Sequence, residues 1–141
     1  MTDEKSDFIF KKIMIVDDNH IDRFIAEKTI RKYQFSEDVL PVPSAVAALQ
    51  HLLATADNAG ALPEIILLDI NMPEMNGFEF LEKYAELPES LKEQTTVFML
   101  STSLNEDDKQ AAEQNPHVKQ FLNKPLNEET LNTIRTLVQN P

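Results

Sequence analysis

Residues 64–69 read EIILLD, in which four large aliphatic side chains in a row lead to the carboxylate of Asp69. A short apolar run without polar alternation is typical of a parallel strand that is buried on both faces. Residues 64–68 are therefore predicted to form the central strand of a sheet. A carboxylate at the end of such a strand is costly unless it reaches a surface or a functional site, which makes Asp69 the first candidate for chemistry.

Polar side chains also follow three other apolar runs. The junctions are IMIV before Asp17 and Asp18, VFML before Ser101, and VKQFL before Asn123 and Lys124. These runs predict strands at residues 12–16, 96–100 and 118–122. A weaker strand at residues 39–42 contains Pro41, and we expect it at a sheet edge because proline cannot donate to a ladder of hydrogen bonds.

Apolar residues recur at helical spacing after each strand, which predicts five helices. Ser44 is the expected N-cap of the second helix. The inner face of that helix is predicted to carry Val46, Leu49, Leu52 and Leu53. Strict alternation of strands and helices predicts an α/β fold, a doubly wound five-stranded parallel sheet with helices on both faces. Ligands of such folds bind beyond the carboxyl ends of the strands, where all the polar junctions lie.

Length and composition restrict the class of protein. The 141 residues suffice for one domain at residues 11–141 with an N-terminal extension at residues 1–10. A net charge of −11 argues against direct binding of nucleic acid. The absence of cysteine excludes disulfides and thiolate metal sites. No apolar run approaches the length of a membrane span or a signal peptide, so a cytoplasmic location is predicted.

The acidic residues suggest a site for a divalent cation. Asp17 and Asp18 are adjacent carboxylates, which repel each other unless a cation or a proton lies between them. Oxygen ligands suit Mg²⁺, and Asn71 can offer its backbone carbonyl to the same ion. The alternative is that one of the two aspartates caps the following helix.

Three further groups suit phosphoryl transfer. The carboxylate of Asp69 can accept a phosphoryl group when a metal offsets the incoming charge, although a turn aspartate is the alternative. Ser101 has a hydroxyl that can donate to a phosphoryl oxygen, and Lys124 supplies a positive charge. Pro125 restricts the backbone just after the last strand and can thereby aim Lys124.

Four motifs together resemble the receiver domain of two-component response regulators, and a sequence with one helix after Lys124 is expected to be of the stand-alone single-domain type. The motifs are IVDDN at 15–19, LLDINMPEMNG at 67–77, LSTS at 100–103 and FLNKP at 121–125. With the order of strands and helices, the resemblance covers roughly residues 11–139. It implies a flavodoxin-like strand order, 2-1-3-4-5.

The resemblance also implies a role for each site residue. Asp69 is the expected phosphoacceptor. The expected Mg²⁺ ligands are Asp18 and Asp69 directly, Asp17 through water, and Asn71 through its main-chain oxygen. Ser101 corresponds to the switch hydroxyl, Lys124 to the phosphate-binding lysine and Phe121 to the aromatic switch position. Ser101 stands where threonine is more usual, and its neighbour Thr102 is bulkier than the family's usual residue.

The implied function is signalling rather than enzymatic turnover. The chain is expected to take a phosphoryl group from a sensor histidine kinase or a histidine phosphotransfer protein and to assist its own phosphorylation and dephosphorylation. Its output is expected to be binding of a downstream protein or a phosphorelay, without direct contact with nucleic acid or membrane. Two other functions are less consistent with the sequence. The first is a metal-dependent phosphohydrolase, which typically has a second acid two residues after its nucleophile, where this sequence has Asn71. The second is a flavin-binding electron carrier, which needs a phosphate-binding loop after the first strand. Asp17 and Asp18 stand there and would repel a phosphate.

Overall fold

The computed structural model describes residues 8–102 and 105–139. Residues 1–7 of the predicted extension and Ser103 of the LSTS motif therefore lie outside the described residues. The strands are β1 Phe10–Val16, β2 Ser36–Val42, β3 Ile65–Leu68, β4 Thr96–Ser101 and β5 Val118–Asn123. The helices are α1 His20–Lys32, α2 Ala45–Ala54, α3 Gly77–Tyr84, α4 Glu89–Gln94, α5 Glu106–Gln114 and α6 Glu128–Gln139, with a short 3₁₀ turn at Ala59–Ala61.

The five strands form one parallel sheet in the order β2-β1-β3-β4-β5, which confirms the predicted fold. β3 lies at the centre, with Ile65 aligned with Ile13 of β1 on one side and Thr96 of β4 on the other. β2 is an edge strand, as its proline predicted. The sheet begins earlier than expected at two strands, because β1 starts at Phe10 and pairs there with Ser36 of β2.

The alternating side chains of β3 explain why its sequence is wholly apolar. Ile66 and Leu68 pack in one core with α2 and α3, while Ile65 and Leu67 pack in a second core with α1 and α6. All four side chains are at most 2% exposed. The sheet therefore has a hydrophobic layer on each face, and β3 contributes to both.

The described residues form six α-helices, so the prediction of five was wrong by one. The additional helix is α4, which starts after Pro88 and has only six residues. Pro88 was interpreted as the stop of the preceding helix, but a proline is equally compatible with a helix start. Leu91 is fully buried and anchors α4 to the core.

The predicted inner face of α2 was half right, because Leu52 is buried and Leu49 packs against the core, as predicted. Ala45, Ala48 and Leu52 face the core, whereas Val46 and Leu53 are exposed. The small alanines allow the helix to lie close to the sheet. Ser44 is the N-cap, as predicted, and its hydroxyl accepts a hydrogen bond from the backbone N–H of Ala47.

None of the described helices is both long enough and apolar enough to cross a membrane.

The loop after β3 returns close to its own start at Gly77. The N–H of Gly77 donates to the carbonyl of Ile70 at 2.8 Å. A Cβ at this position would lie 2.6 Å from the backbone oxygen of Asp69 and 2.8 Å from Cε of Met99. Only glycine fits between α3 and the end of β3, which is why the loop 70–76 can close beside Asp69.

We therefore expect Gly77→Ala to destabilise the protein by about 1–3 kcal/mol, because a methyl group forced against backbone must displace the loop. The measurement is urea-induced unfolding. The matched control is Gly60→Ala, where the nearest atom to an added Cβ is Asn58 Oδ1 at 3.6 Å. Equal stabilities of the two variants would contradict the proposed close packing.

Candidate functional site

Three carboxylates meet at the carboxyl edge of the sheet, beyond β1 and β3. Oxygens of Asp17, Asp18 and Asp69 all lie within 4.8 Å of one another. The N–H of Asp69 donates to the carbonyl of Val16 at 3.0 Å, which holds the end of β3 beside the end of β1. Asp17 and Asp69 are buried, while Asp18 is exposed. This is a donor set of hard oxygens with one side open to water, which suits a hydrated divalent cation.

Among the described residues, the ammonium group of Lys124 faces these carboxylates. Lys124 Nζ lies 2.6 Å from Asp17 Oδ2, 3.0 Å from Asp22 Oδ2 and 3.7 Å from Asp69 Oδ1. The backbone places it there, because the N–H of Lys124 donates to the carbonyl of Ser101 at 3.0 Å. The peptide bond between Lys124 and Pro125 is cis.

The start of α1 settles the capping alternative. The N-cap is Asn19, whose side chain accepts hydrogen bonds from the backbone N–H groups of Ile21 and Asp22. Neither Asp17 nor Asp18 is the N-cap. Asp17 Oδ1 accepts from the N–H of Asn19 at 2.9 Å, so both of its oxygens are engaged, one by this N–H and one by Lys124.

The surroundings of Asp69 favour its neutral form. Burial raises the pKa of Asp69, the charge of Lys124 lowers it, and the charges of Asp17 and Asp18 raise it further, to about 6 in the absence of a metal. Burial lowers the pKa of Lys124, but its hydrogen bonds to Asp17 and Asp22 and the charge of Asp69 outweigh this effect, and the pKa is raised. Lys124 therefore stays charged while the carboxylate beside it is poorly compensated.

The other predicted site residues lie around this centre. Ser101 is the last residue of β4 and is buried, and it pairs in register with Asn123 of β5. Asn71 is exposed in the loop two residues after Asp69. Phe121 is buried in the core that contains Met99.

A cavity of about 130 Å³ opens beside the charged groups. Its walls are mainly apolar side chains of β1, β3, β4, α1 and the segment 125–126 before α6. The polar residues Asp17, Asp69, Thr102 and Lys124 also contribute to its lining. Thr102, which is bulkier than the usual residue of the resembling family, is exposed and lines this cavity. A small group that reaches Asp69 therefore has room at the sheet edge.

Asp22 was missed by sequence reasoning. Its carboxylate also lines the cavity and accepts a hydrogen bond from Lys124, although it lies in α1 rather than at a strand end. A signal was present: Asp22 is four residues after Asp18 in the first turn of α1, a turn that starts at the same sheet edge.

The raised pKa of Asp69 predicts a pH-dependent cost in folding stability. The unfolded carboxyl ionises near its usual value of 3.8 and the folded one near 6, so ionisation destabilises the fold progressively between these values and fully above them. We expect Asp69→Asn to raise the free energy of unfolding by on the order of 2 kcal/mol at about pH 7.5, after allowance for screening at the open side.

The increase in the free energy of unfolding caused by Asp69→Asn should be smaller by on the order of 1 kcal/mol at about pH 5, where folded Asp69 is mostly protonated. The measurement is urea-induced unfolding of the wild type and of Asp69→Asn without metal at both pH values. Asp57→Asn, at an exposed aspartate, is the control for the change in net charge. A gain that is the same at both pH values would refute the assignment of the cost to Asp69.

Comparisons with known proteins agree with this geometry. The family model described as response regulator receiver domain matches residues 13–135. A two-component response regulator from Cytophaga hutchinsonii has a similar structure, with a TM-score of 0.86 and 32% identity, covering 94% of this chain and 98% of that chain.

Two further proteins are similar. The probable methanogenesis regulatory protein FilR2 of Methanothrix harundinacea (strain 6Ac) is 30% identical over 119 residues, which cover 84% of this chain and 75% of that protein. The Mn²⁺-bound form of response regulator Rcp1 has a TM-score of 0.68 and 25% identity, covering 92% of this chain and 93% of that chain. Because the family model spans most of the sequence and the strand order is the predicted one, the chain belongs to the response regulator receiver domain family of two-component systems.

Proposed function

We propose that this protein accepts a phosphoryl group on Asp69 from a phosphohistidine of a sensor histidine kinase or a histidine phosphotransfer protein. The observation that carries the proposal is the position of Asp69, buried at the end of the central strand with two carboxylates within 4.8 Å and an ammonium 3.7 Å away. A carboxylate oxygen of Asp69 attacks phosphorus, the P–N bond of the phosphohistidine breaks, and its electron pair stays on the imidazole.

Asp17, Asp18, Asp69 and the main-chain oxygen of Asn71 would hold Mg²⁺ at this site. Their oxygen chemistry fits the ion, and a similar regulator, Rcp1, has a structure in its Mn²⁺-bound form. The ion would offset the negative charge that a phosphoryl group brings to three carboxylates. Asp18, which is exposed and has no hydrogen bond among those described, is the better candidate for direct ligation. Both oxygens of Asp17 are already engaged, which supports contact through water.

Lys124 and Ser101 would bind the transferred group. Lys124 is charged and near Asp69, so it can donate to a phosphoryl oxygen. Ser101 can donate from the end of β4, and a shift of Ser101 would change the packing around Phe121 on β5. Phe121 is already buried at 7% exposure, so the proposed switch is a rearrangement within the core rather than an entry from solvent.

The proposed output is contact with another protein or onward transfer of the phosphoryl group. The net charge of −11 supports protein partners rather than nucleic acid. A cytoplasmic site of action follows from the proposed donors. Asn71 in place of a second acid supports an acceptor role over a phosphohydrolase.

We expect Asp69 to be the only residue that is phosphorylated. Intact-mass analysis after incubation with acetyl phosphate and Mg²⁺ should show one added phosphate on the wild type and on Asp57→Asn, and none on Asp69→Asn. Excess chelator should prevent the adduct, and Asp18→Ala should reduce it more than Asp17→Ala. An adduct that persists on Asp69→Asn would eliminate the proposal.

We expect Ser101→Ala to uncouple phosphate binding from the core. The variant should still bind the phosphate mimic beryllofluoride, about tenfold more weakly because a hydrogen bond to a charged group is lost. NMR should show smaller amide shifts in residues 105–123 than in the wild type on binding. If the shifts of the variant at saturation equal those of the wild type, Ser101 is not part of a switch.

A further inference from the structure

Lys124 lies between the carboxylates that follow β1 and β3 and the carboxylate of Asp22 on α1. Its two shortest contacts, 2.6 Å to Asp17 and 3.0 Å to Asp22, lie within hydrogen-bond distance, whereas Asp69 Oδ1 is beyond that distance at 3.7 Å. An ammonium group has three donors, and two of them are directed at these partners. The lysine thus approaches Asp69 less closely than it approaches a residue on α1.

The first turn of α1, which carries Asp22, is anchored to the residues that follow β1. The N–H of Asp22 donates to Asn19 Oδ1 at 3.0 Å, and the guanidinium of the adjacent Arg23 donates to the carbonyl of Asp17 at 2.7 Å. These bonds fix the first turn of α1 to the end of β1. Asp22 is 37% exposed at its side chain, so it remains partly solvated while it pairs with the 10%-exposed Lys124.

We propose that Asp22 is a positioning residue that holds Lys124 toward α1 in the unphosphorylated protein and competes with an incoming phosphoryl group for its ammonium. This inference rests on the proposed function. Asp22 does not belong to the cluster of Asp17, Asp18 and Asp69, so a cation bound there does not neutralise it directly. Its negative charge remains near the approaching phosphoryl group and retains one donor of Lys124.

Neutralising Asp22 should make phosphoryl binding easier in two ways. One donor of Lys124 becomes free to turn toward Asp69 and the group it carries, and one repulsive charge disappears from the approach. The competing interpretation is a half-exposed ion pair without influence on the site, as many such pairs are. When the carboxylate is replaced by an amide of the same shape, the proposal predicts tighter phosphoryl binding, whereas the competing interpretation predicts no change.

The test is the affinity for beryllofluoride at saturating Mg²⁺, measured by ¹⁹F NMR, together with the rate of phosphorylation by acetyl phosphate. We expect Asp22→Asn to bind beryllofluoride on the order of fivefold more tightly than the wild type and to be phosphorylated faster. Asp22→Glu, which keeps the negative charge, should bind beryllofluoride with an affinity close to that of the wild type. Asp57→Asn, an equal change of net charge at an exposed position, should not change either readout.

A double-mutant cycle tests whether Asp22 acts through Lys124. In the Lys124→Met background, Asp22→Asn should lose most of its effect, because the amine for which it competes is absent. Unchanged affinity of Asp22→Asn, or an equal gain in Asp57→Asn, overturns the inference while leaving phosphorylation of Asp69 intact. If instead the wild type neither binds beryllofluoride nor gains phosphate, the proposed function itself is wrong.

Discussion

Four carboxylates, those of Asp17, Asp18, Asp69 and Asp22, and the ammonium group of Lys124 lie at one edge of the sheet, and their charges do not balance. Lys124 compensates Asp17 and Asp22 most directly, and Asp69 receives only a longer-range attraction at 3.7 Å. Burial at the end of β3 adds to this deficit. The protein therefore maintains a concentration of negative charge that a cation would relieve, and this makes the site responsive to what binds there.

The sheet is what makes such a site tolerable. β3 is buried on both faces, so the two cores stabilise the ends of β1 and β3 without help from the polar groups beyond them. The glycine at position 77 lets the following loop close against the backbone of Asp69. Stability resides in the apolar layers, and the carboxyl edge is free to carry groups that are unfavourable to bury. This division is typical of folds that bind ligands at strand ends.

The sequence predicted the features that depend on the order of the apolar runs, which are the strands and the residues at their ends. It predicted less well the features that depend on how the helices pack. Buried parallel strands have a distinctive pattern, so the sheet and the meeting of Asp17, Asp18, Asp69 and Lys124 followed from their positions at strand ends. The inner face of α2 followed only in part, because Ala45 and Ala48 are buried while the larger Val46 and Leu53 are exposed.

Asp22 and Phe121 show the same limits within the site. A search for polar residues at the ends of strands does not find Asp22, because this residue lies in the first turn of α1. The family resemblance marked Phe121 as a switch position but not its starting arrangement, which depends on how β5 packs against Met99 and α5. Both residues are separated from Asp69 by one intermediary, Lys124 or β4. In the proposed arrangement, the charge on α1 can set how readily the protein responds without changing the acceptor, because it acts on the ammonium of Lys124 and on the approach of the phosphoryl group while Asp69 remains the attacking residue.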